Sequence, residues 1–220
     1  MAGKIAQLHG MPRGVCRRWC LAAAVAALLP LAACASAPPL KRPMPVMGPT
    51  EVTASAMAAW FRDRTELAYR ATVPVEVLAA YYVEEGLLEW VRGDLAFVQA
   101  VHETRWFAFT GVVDPVFNNF AGIGATDRGG TPHRFEDART GVRAQIQHLR
   151  AYADPDAREC AVPPLRQACA DPRFHLVRPK GRARTWQEMG KGNWATDPKY
   201  ALEILTLYHD LRDYAGLPSW

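Results

Sequence analysis

Two hundred and twenty residues, 50% hydrophobic and 22% charged, can bury a sizeable core in one domain or at most two. Seven Trp, seven Tyr and eight Phe exclude a disordered chain, and no apolar run of about 20 residues beyond the N-terminus exists to build a polytopic membrane protein. The net charge of +4 sits in residues 1–33, where Lys4, Arg13, Arg17 and Arg18 stand without an acid. Without that segment the charge is zero, so the chain has no global electrostatic reason to bind nucleic acid.

Residues 1–33 read as an export signal: a basic start, a short apolar stretch from Leu21 to Leu31, then small residues before a cut. The stretch is short for a membrane span and Pro30 breaks its helix. Leu31-Ala32-Ala33-Cys34 resembles the lipobox of bacterial lipoproteins, which implies acylation at Cys34 and an exported protein anchored to a membrane of the cell envelope. Cys160 and Cys169 remain in the exported chain, where a disulfide is the expected fate, stabilising by roughly 2–3 kcal/mol at most because the loop is short. Residues 34–50 are Pro-rich and aperiodic and are expected to be a tether, which leaves 51–220 as the folded domain.

The domain reads as mostly helical. Thr53 or Ser55 caps a first helix reaching Leu67. Pro74 opens a second, with Val75, Leu78, Tyr82 and Leu88 on one side. Asp94 is the expected N-cap of a third helix over 95–109. A Gly- and Asn-rich passage follows over 111–131, with a short ribbon expected between Gly122 and Phe135. Thr140-Gly141 opens a helix to Tyr152, and Asp197-Pro198 starts a last one to Tyr214.

Glu103 is the chemical focus. In a helix over 95–109 it lies mid-helix, with Gln99, Ala100, Trp106 and Phe107 on its face. Apolar and aromatic neighbours desolvate the carboxylate and raise its pKa, as a general acid working near neutral pH requires. Glycoside hydrolysis needs such a donor at the leaving oxygen, together with a group that stabilises or traps the oxocarbenium centre.

Three further segments follow in order: Asn118-Asn119-Phe120-Ala121-Gly122-Ile123-Gly124, the run GVRAQIQHL from Gly141, and WATDPKY from Trp194. With the Glu helix they resemble the bacterial glucosaminidases of glycoside hydrolase family 73, over roughly residues 78–211. The resemblance implies a lysozyme-like α+β domain, mostly α, two-lobed, with a small loop or β-hairpin lobe. It implies an endo-β-N-acetylglucosaminidase acting on peptidoglycan glycan strands at the GlcNAc–MurNAc linkage, without a cofactor or metal. Glu103 would be the general acid and Tyr200 would lie near the scissile sugar, orienting it or its acetamido group. Asn118, Asn119, Phe120 and Trp106 would bind substrate. The second catalytic group stays open between Asp127, Glu136 or Asp137 and the substrate's own acetamido oxygen, because each of those acids also has a local role in a turn or at a helix start.

Other chemistries lack their residues. His102, His133, His148, His175 and His209 form no zinc-spaced pair, and there is no nucleophile elbow or phosphate loop. The basic residues between Arg173 and Lys191 read as a solvated face. Two alternatives to hydrolysis remain: a lytic transglycosylase on the same fold, and a non-catalytic peptidoglycan-binding lipoprotein.

Overall fold

The computed structural model describes residues 42–125, 130–160 and 169–218, all within the unit Ala37–Trp220. The segment expected to be an export signal, Cys34 and Asp127 lie outside the described residues. Six α-helices occur among those residues: α1 (Ala54–Arg64), α2 (Val75–Glu89), α3 (Gly93–Glu103), α4 (Ala138–Ala153), the short α5 (Trp186–Met189) and α6 (Tyr200–Tyr214). Single 3₁₀ turns lie at Pro115–Phe117 and Phe174–Leu176. The described residues contain no strand, only two isolated bridges; the described parts of the ribbon expected between Gly122 and Phe135 are loop, joined by the bond from His133 N–H to the Ile123 carbonyl at 2.8 Å.

The central helix of the packing is α2, which lies against α1, α3 and α4, while α6 covers α3. Val75, Leu78 and Tyr82 enter the main core from α2, as the spacing predicts, with Ala79 beside them, whereas Leu88 is half-buried and outside that core. Glu85 and Glu89 lie on the same buried side, tied to Arg139 and Arg143, and to Arg150, of α4. Trp60 and Trp186 are sealed in the core, whereas Trp90 is exposed.

Three expected helix starts move by a few residues, the last helix beginning at Tyr200 rather than at Asp197-Pro198. Asp137, not Thr140, caps α4, its carboxylate accepting from Thr140 N–H at 2.7 Å. Gly141 serves packing instead: a Cβ there would lie 1.8 Å from the Asn118 carbonyl, so only glycine lets α4 seat against the Asn loop. Asp94 lies inside α3, with Arg92 at the N-cap. Its buried carboxylate accepts from the backbone N–H groups of Glu51, Val52 and Leu95 and from the Tyr208 hydroxyl, at 2.9–3.1 Å. One side chain thereby joins the chain entering α1 to α3 and α6. Asp94→Ala strands those donors and should cost about 2–4 kcal/mol. Urea denaturation reads this; an unchanged midpoint would show that the carboxylate is dispensable.

The tether ends earlier than residue 50. Met44 and Val46 are buried while Pro43 and Pro45 face out, a period of two that places the donor-less prolines on the open side. Val46 N–H donates to the Arg184 carbonyl and its own carbonyl accepts from Arg92 N–H, at 3.0 and 3.1 Å. The folded domain therefore includes residues from Met44 onward. Cys160 and Cys169 form the expected disulfide, with a Cα–Cα distance of 5.2 Å.

The third helix departs most from expectation. It stops at Glu103, and Arg105, Trp106 and Phe107 adopt left-handed backbone with φ of 51°, 58° and 52°. Each such non-glycine residue costs about 1–2 kcal/mol. The turn drives Phe107 into a cluster with Phe61, Tyr69, Phe97 and Phe120, and lays Trp106 against Trp60 and Phe61. Thr104 secures it, donating to the Ala100 carbonyl and accepting from Phe107 N–H. Aromatic burial offsets the backbone strain, and that strain sits directly beside Glu103.

Candidate active site

Ending α3 at Glu103 puts this carboxylate at a helix terminus rather than mid-helix, at the edge of a cleft of about 650 Å³. The loop 121–125 forms one wall. Trp194, Tyr152 and His148 form another as an aromatic group, with ring centroids 5.1–5.7 Å apart. The turn before α6 presents Trp194, its N–H bonded to the Met189 carbonyl at 2.9 Å, while the Tyr152 hydroxyl donates to the Asn193 carbonyl. Flat aromatic faces next to polar loop atoms suit a pyranose ring.

Glu103 Oε1 accepts two hydrogen bonds, from the Tyr200 hydroxyl at 2.6 Å and from Trp194 Nε1 at 3.1 Å. Oε2 has no hydrogen-bond partner among the described residues and faces Gly122, where a modest Cβ would come within 4.0 Å of it. Gly122 holds φ of +62°, so its lack of a side chain both permits the turn and keeps that approach open. The carboxylate is thus exposed on its cleft side and crowded by protein on the others. Crowding raises its pKa above the ordinary glutamate value, against the opposing pull of the Tyr200 hydroxyl, His102 and the Trp194 indole. Burial holds the Tyr200 phenol far above its usual range, reinforced by the Glu103 charge, so this hydroxyl stays a neutral donor.

The remaining predicted site residues fall elsewhere. Asn118 and Asn119 are buried and serve the backbone: Asn118 Nδ2 donates to the Phe135 carbonyl, and Asn119 Nδ2 donates to the carbonyls of Ile123 and His133. Asn119 Oδ1 in turn accepts from Ile123 N–H at 2.9 Å. Phe120 is a core residue and Trp106 packs on the core, so none of the four reaches the cleft with its side chain; they hold the wall that does. Asp137 is spent as a helix cap, and Glu136 is exposed and outside the cleft lining. Tyr200 aims its hydroxyl at Glu103, and the buried Gln99 amide donates to that hydroxyl at 2.7 Å.

Several cleft residues escaped the sequence reading. His148 lines the cleft with its Nδ1 2.7 Å from the buried Asp171 carboxylate, a pair invisible to a search for zinc spacing. Arg173, expected on a solvated face, lines the same cleft. Asp197 is the one other carboxylate in the lining among the described residues, and its Oδ1 accepts from Lys199 N–H. The readable signal was the i, i+4 spacing of His148 and Tyr152, which places both on one face of α4.

Residues 79–213 match the glucosaminidase family model, described as mannosyl-glycoprotein endo-beta-N-acetylglucosaminidase. A protein of Borreliella burgdorferi, named only as uncharacterized, is 34% identical over 140 residues, which is 64% of this chain and 64% of that protein's length. The family match covers well over half of the chain, starting in α2 and ending in α6, and so takes in both Glu103 and Tyr200. On that match and a mostly helical architecture, the chain belongs to the glucosaminidase family of glycoside hydrolases.

Proposed function

We propose that the protein is a peptidoglycan hydrolase, an endo-β-N-acetylglucosaminidase cleaving the GlcNAc-β-1,4-MurNAc linkage with Glu103 as general acid. The observation that supports this best is the asymmetry of Glu103: one oxygen tied to Tyr200 and Trp194, the other without a partner among the described residues and facing a cleft walled by aromatic rings. In this reading Glu103 gives its proton to the glycosidic oxygen as the C1–O bond breaks. The 2-acetamido carbonyl oxygen of the same GlcNAc bonds to C1 and forms a cyclic oxazolinium ion. A water then attacks C1, the ring opens to restore the acetamido group, and the water's proton returns to the Glu103 carboxylate. Among the described residues Glu136 and Asp137 stand outside the cleft and Asp197 is engaged in its own turn, which supports the substrate-assisted route; Asp127, the remaining candidate for a two-carboxylate route, lies outside the described residues.

Mass spectrometry of fragments released from purified peptidoglycan tests this, with a high-mannose glycoprotein as the competing substrate. Reducing GlcNAc ends are expected. Anhydro-MurNAc ends would instead identify a transglycosylase, in which the 6-hydroxyl of MurNAc replaces water. Release from the glycoprotein alone would move the substrate class.

A further inference from the structure

The fold buries a row of polar side chains that general acid chemistry at Glu103 does not by itself require. The Tyr82 hydroxyl donates to Gln145 Oε1 at 2.6 Å, Gln145 Nε2 to Gln99 Oε1 at 2.8 Å, Gln99 Nε2 to the Tyr200 hydroxyl at 2.7 Å, and that hydroxyl to Glu103 Oε1 at 2.6 Å. The row draws on α2, α4, α3 and α6 in turn, and Tyr82, Gln145 and Gln99 are wholly buried. Every donor points the same way, toward the carboxylate.

That direction has a single origin. Gln145 Nε2 also donates to the Ala96 carbonyl at 3.0 Å. A carbonyl can only accept, so Gln145 must turn its NH₂ toward Ala96, and the same NH₂ faces Gln99. Gln99 must answer with its oxygen, which turns its own NH₂ to Tyr200. The Tyr200 oxygen then accepts from Gln99, and its proton is committed to Glu103. Flipping either amide would set two acceptors or two donors face to face in the core, an arrangement costing several kcal/mol.

We propose that Gln145 and Gln99 are positioning residues that, oriented by the Ala96 carbonyl, make Tyr200 a one-way donor to Glu103 Oε1 and so assign the acidic proton to Oε2, the oxygen open to the cleft. This rests on the reading of Glu103 as the general acid. Bonds aligned in this way polarise one another, so the last donor of the row is stronger than an isolated phenol.

Gln145→Glu tests it without touching Glu103 or the cleft. A carboxylate at 145 cannot donate to Gln99, and a protonated one has a single hydrogen, already claimed by Ala96. Gln99 then turns its NH₂ to residue 145 and its oxygen to Tyr200, which withdraws the Tyr200 proton from Glu103. The pH titration of the full-length protein's Glu103 carboxyl, followed by ¹³C NMR and assigned by its loss in Glu103→Gln, should move to higher pH. The basic limb of kcat/KM should move with it, and kcat should fall roughly tenfold at unchanged KM. The other charged or titratable groups about Glu103 (His102, Glu203, Asp197, His148, Arg173 and Tyr200) are the same in both proteins. In a Tyr200→Phe background Gln145→Glu should move the titration no further.

An unmoved titration, or an equal shift without the Tyr200 hydroxyl, overturns the relay. Should Gln145→Glu not fold, Gln99→Glu in the same double-mutant cycle carries the same two outcomes. Because the titration needs no substrate, a shift in a protein that releases nothing from peptidoglycan would uphold the relay and sink the proposed activity. Cleavage with an unmoved titration would do the reverse.

Discussion

Replacing Glu103 by Gln should leave a folded, glycan-binding protein whose turnover falls roughly 10²–10⁴-fold, the range a positioned general acid supplies. Glutamine reproduces the shape of the protonated acid: its oxygen can accept from Tyr200 and Trp194 as Oε1 does, and its NH₂ takes the place of the protonated Oε2. The one property lost is a transferable proton. The sign of the stability change follows from the raised pKa. The folded protein holds the Glu103 proton more tightly than the unfolded chain does. Its contribution to stability is therefore complete below the unfolded-state pKa and is lost as pH rises through the folded-state value. At neutral pH Glu103→Gln should consequently be as stable as the parent or slightly more so. Assay of glycan release beside a pull-down on insoluble peptidoglycan checks all of this. Normal release by the variant would remove Glu103 from the mechanism, and loss of binding would show that the carboxylate holds substrate instead of acting on it. For the wild type, the raised pKa extends the protonated, active form toward neutrality, and activity should fall as pH rises through that value.

Tyr200→Phe should lower kcat by roughly 10²-fold with KM within about threefold of the parent, because the hydroxyl meets Glu103 and not the sugar. Its hydrogen bond favours the ionised carboxylate, so removing it raises the Glu103 pKa further and shifts the basic limb of the pH–rate profile upward. The variant also strands the buried Gln99 amide, at a cost of about 1–3 kcal/mol visible as a lower melting temperature. A rise in KM alone, with kcat and the basic limb unmoved, would mean that Tyr200 contacts substrate directly and that its bond to Glu103 is incidental to catalysis.

Much of the helical frame was legible from local chemistry. Thr53 caps α1, Pro74 precedes α2, and the apolar spacing of Val75, Leu78 and Tyr82 identifies the buried side of that helix. These are interactions among residues a few positions apart, and their energies do not depend on the rest of the chain. The end of α3 was not legible. Arg105, Trp106 and Phe107 include no glycine or asparagine to announce left-handed backbone, and the strain is tolerated because Phe107 enters an aromatic cluster drawn from α1, α3 and distant loops. Burial of Met44 and Val46 between prolines was hidden for the same reason, since the partners of Val46 at Arg92 and Arg184 and of Met44 at Trp186 and Gln187 lie far along the chain.

The site divides in the same way. Residue types and motif order were sufficient to point to Glu103 and Tyr200, which the structure brings within 2.6 Å of each other, and to the pairing of Cys160 with Cys169. The packing of Asn118 and Asn119, expected at the sugar, was not legible. An amide that could meet a sugar hydroxyl meets loop carbonyls instead, and only packed coordinates show which acceptor lies within reach. The pairing of His148 with Asp171, the contact of Tyr200 with Glu103 across 97 positions, and the direction of the bonds through Gln145 and Gln99 belong wholly to the tertiary structure. Sequence determines which donors and acceptors a chain possesses. Which of them face each other, and which one way round, is decided when separate helices are brought together and each buried amide must find a partner of the opposite kind.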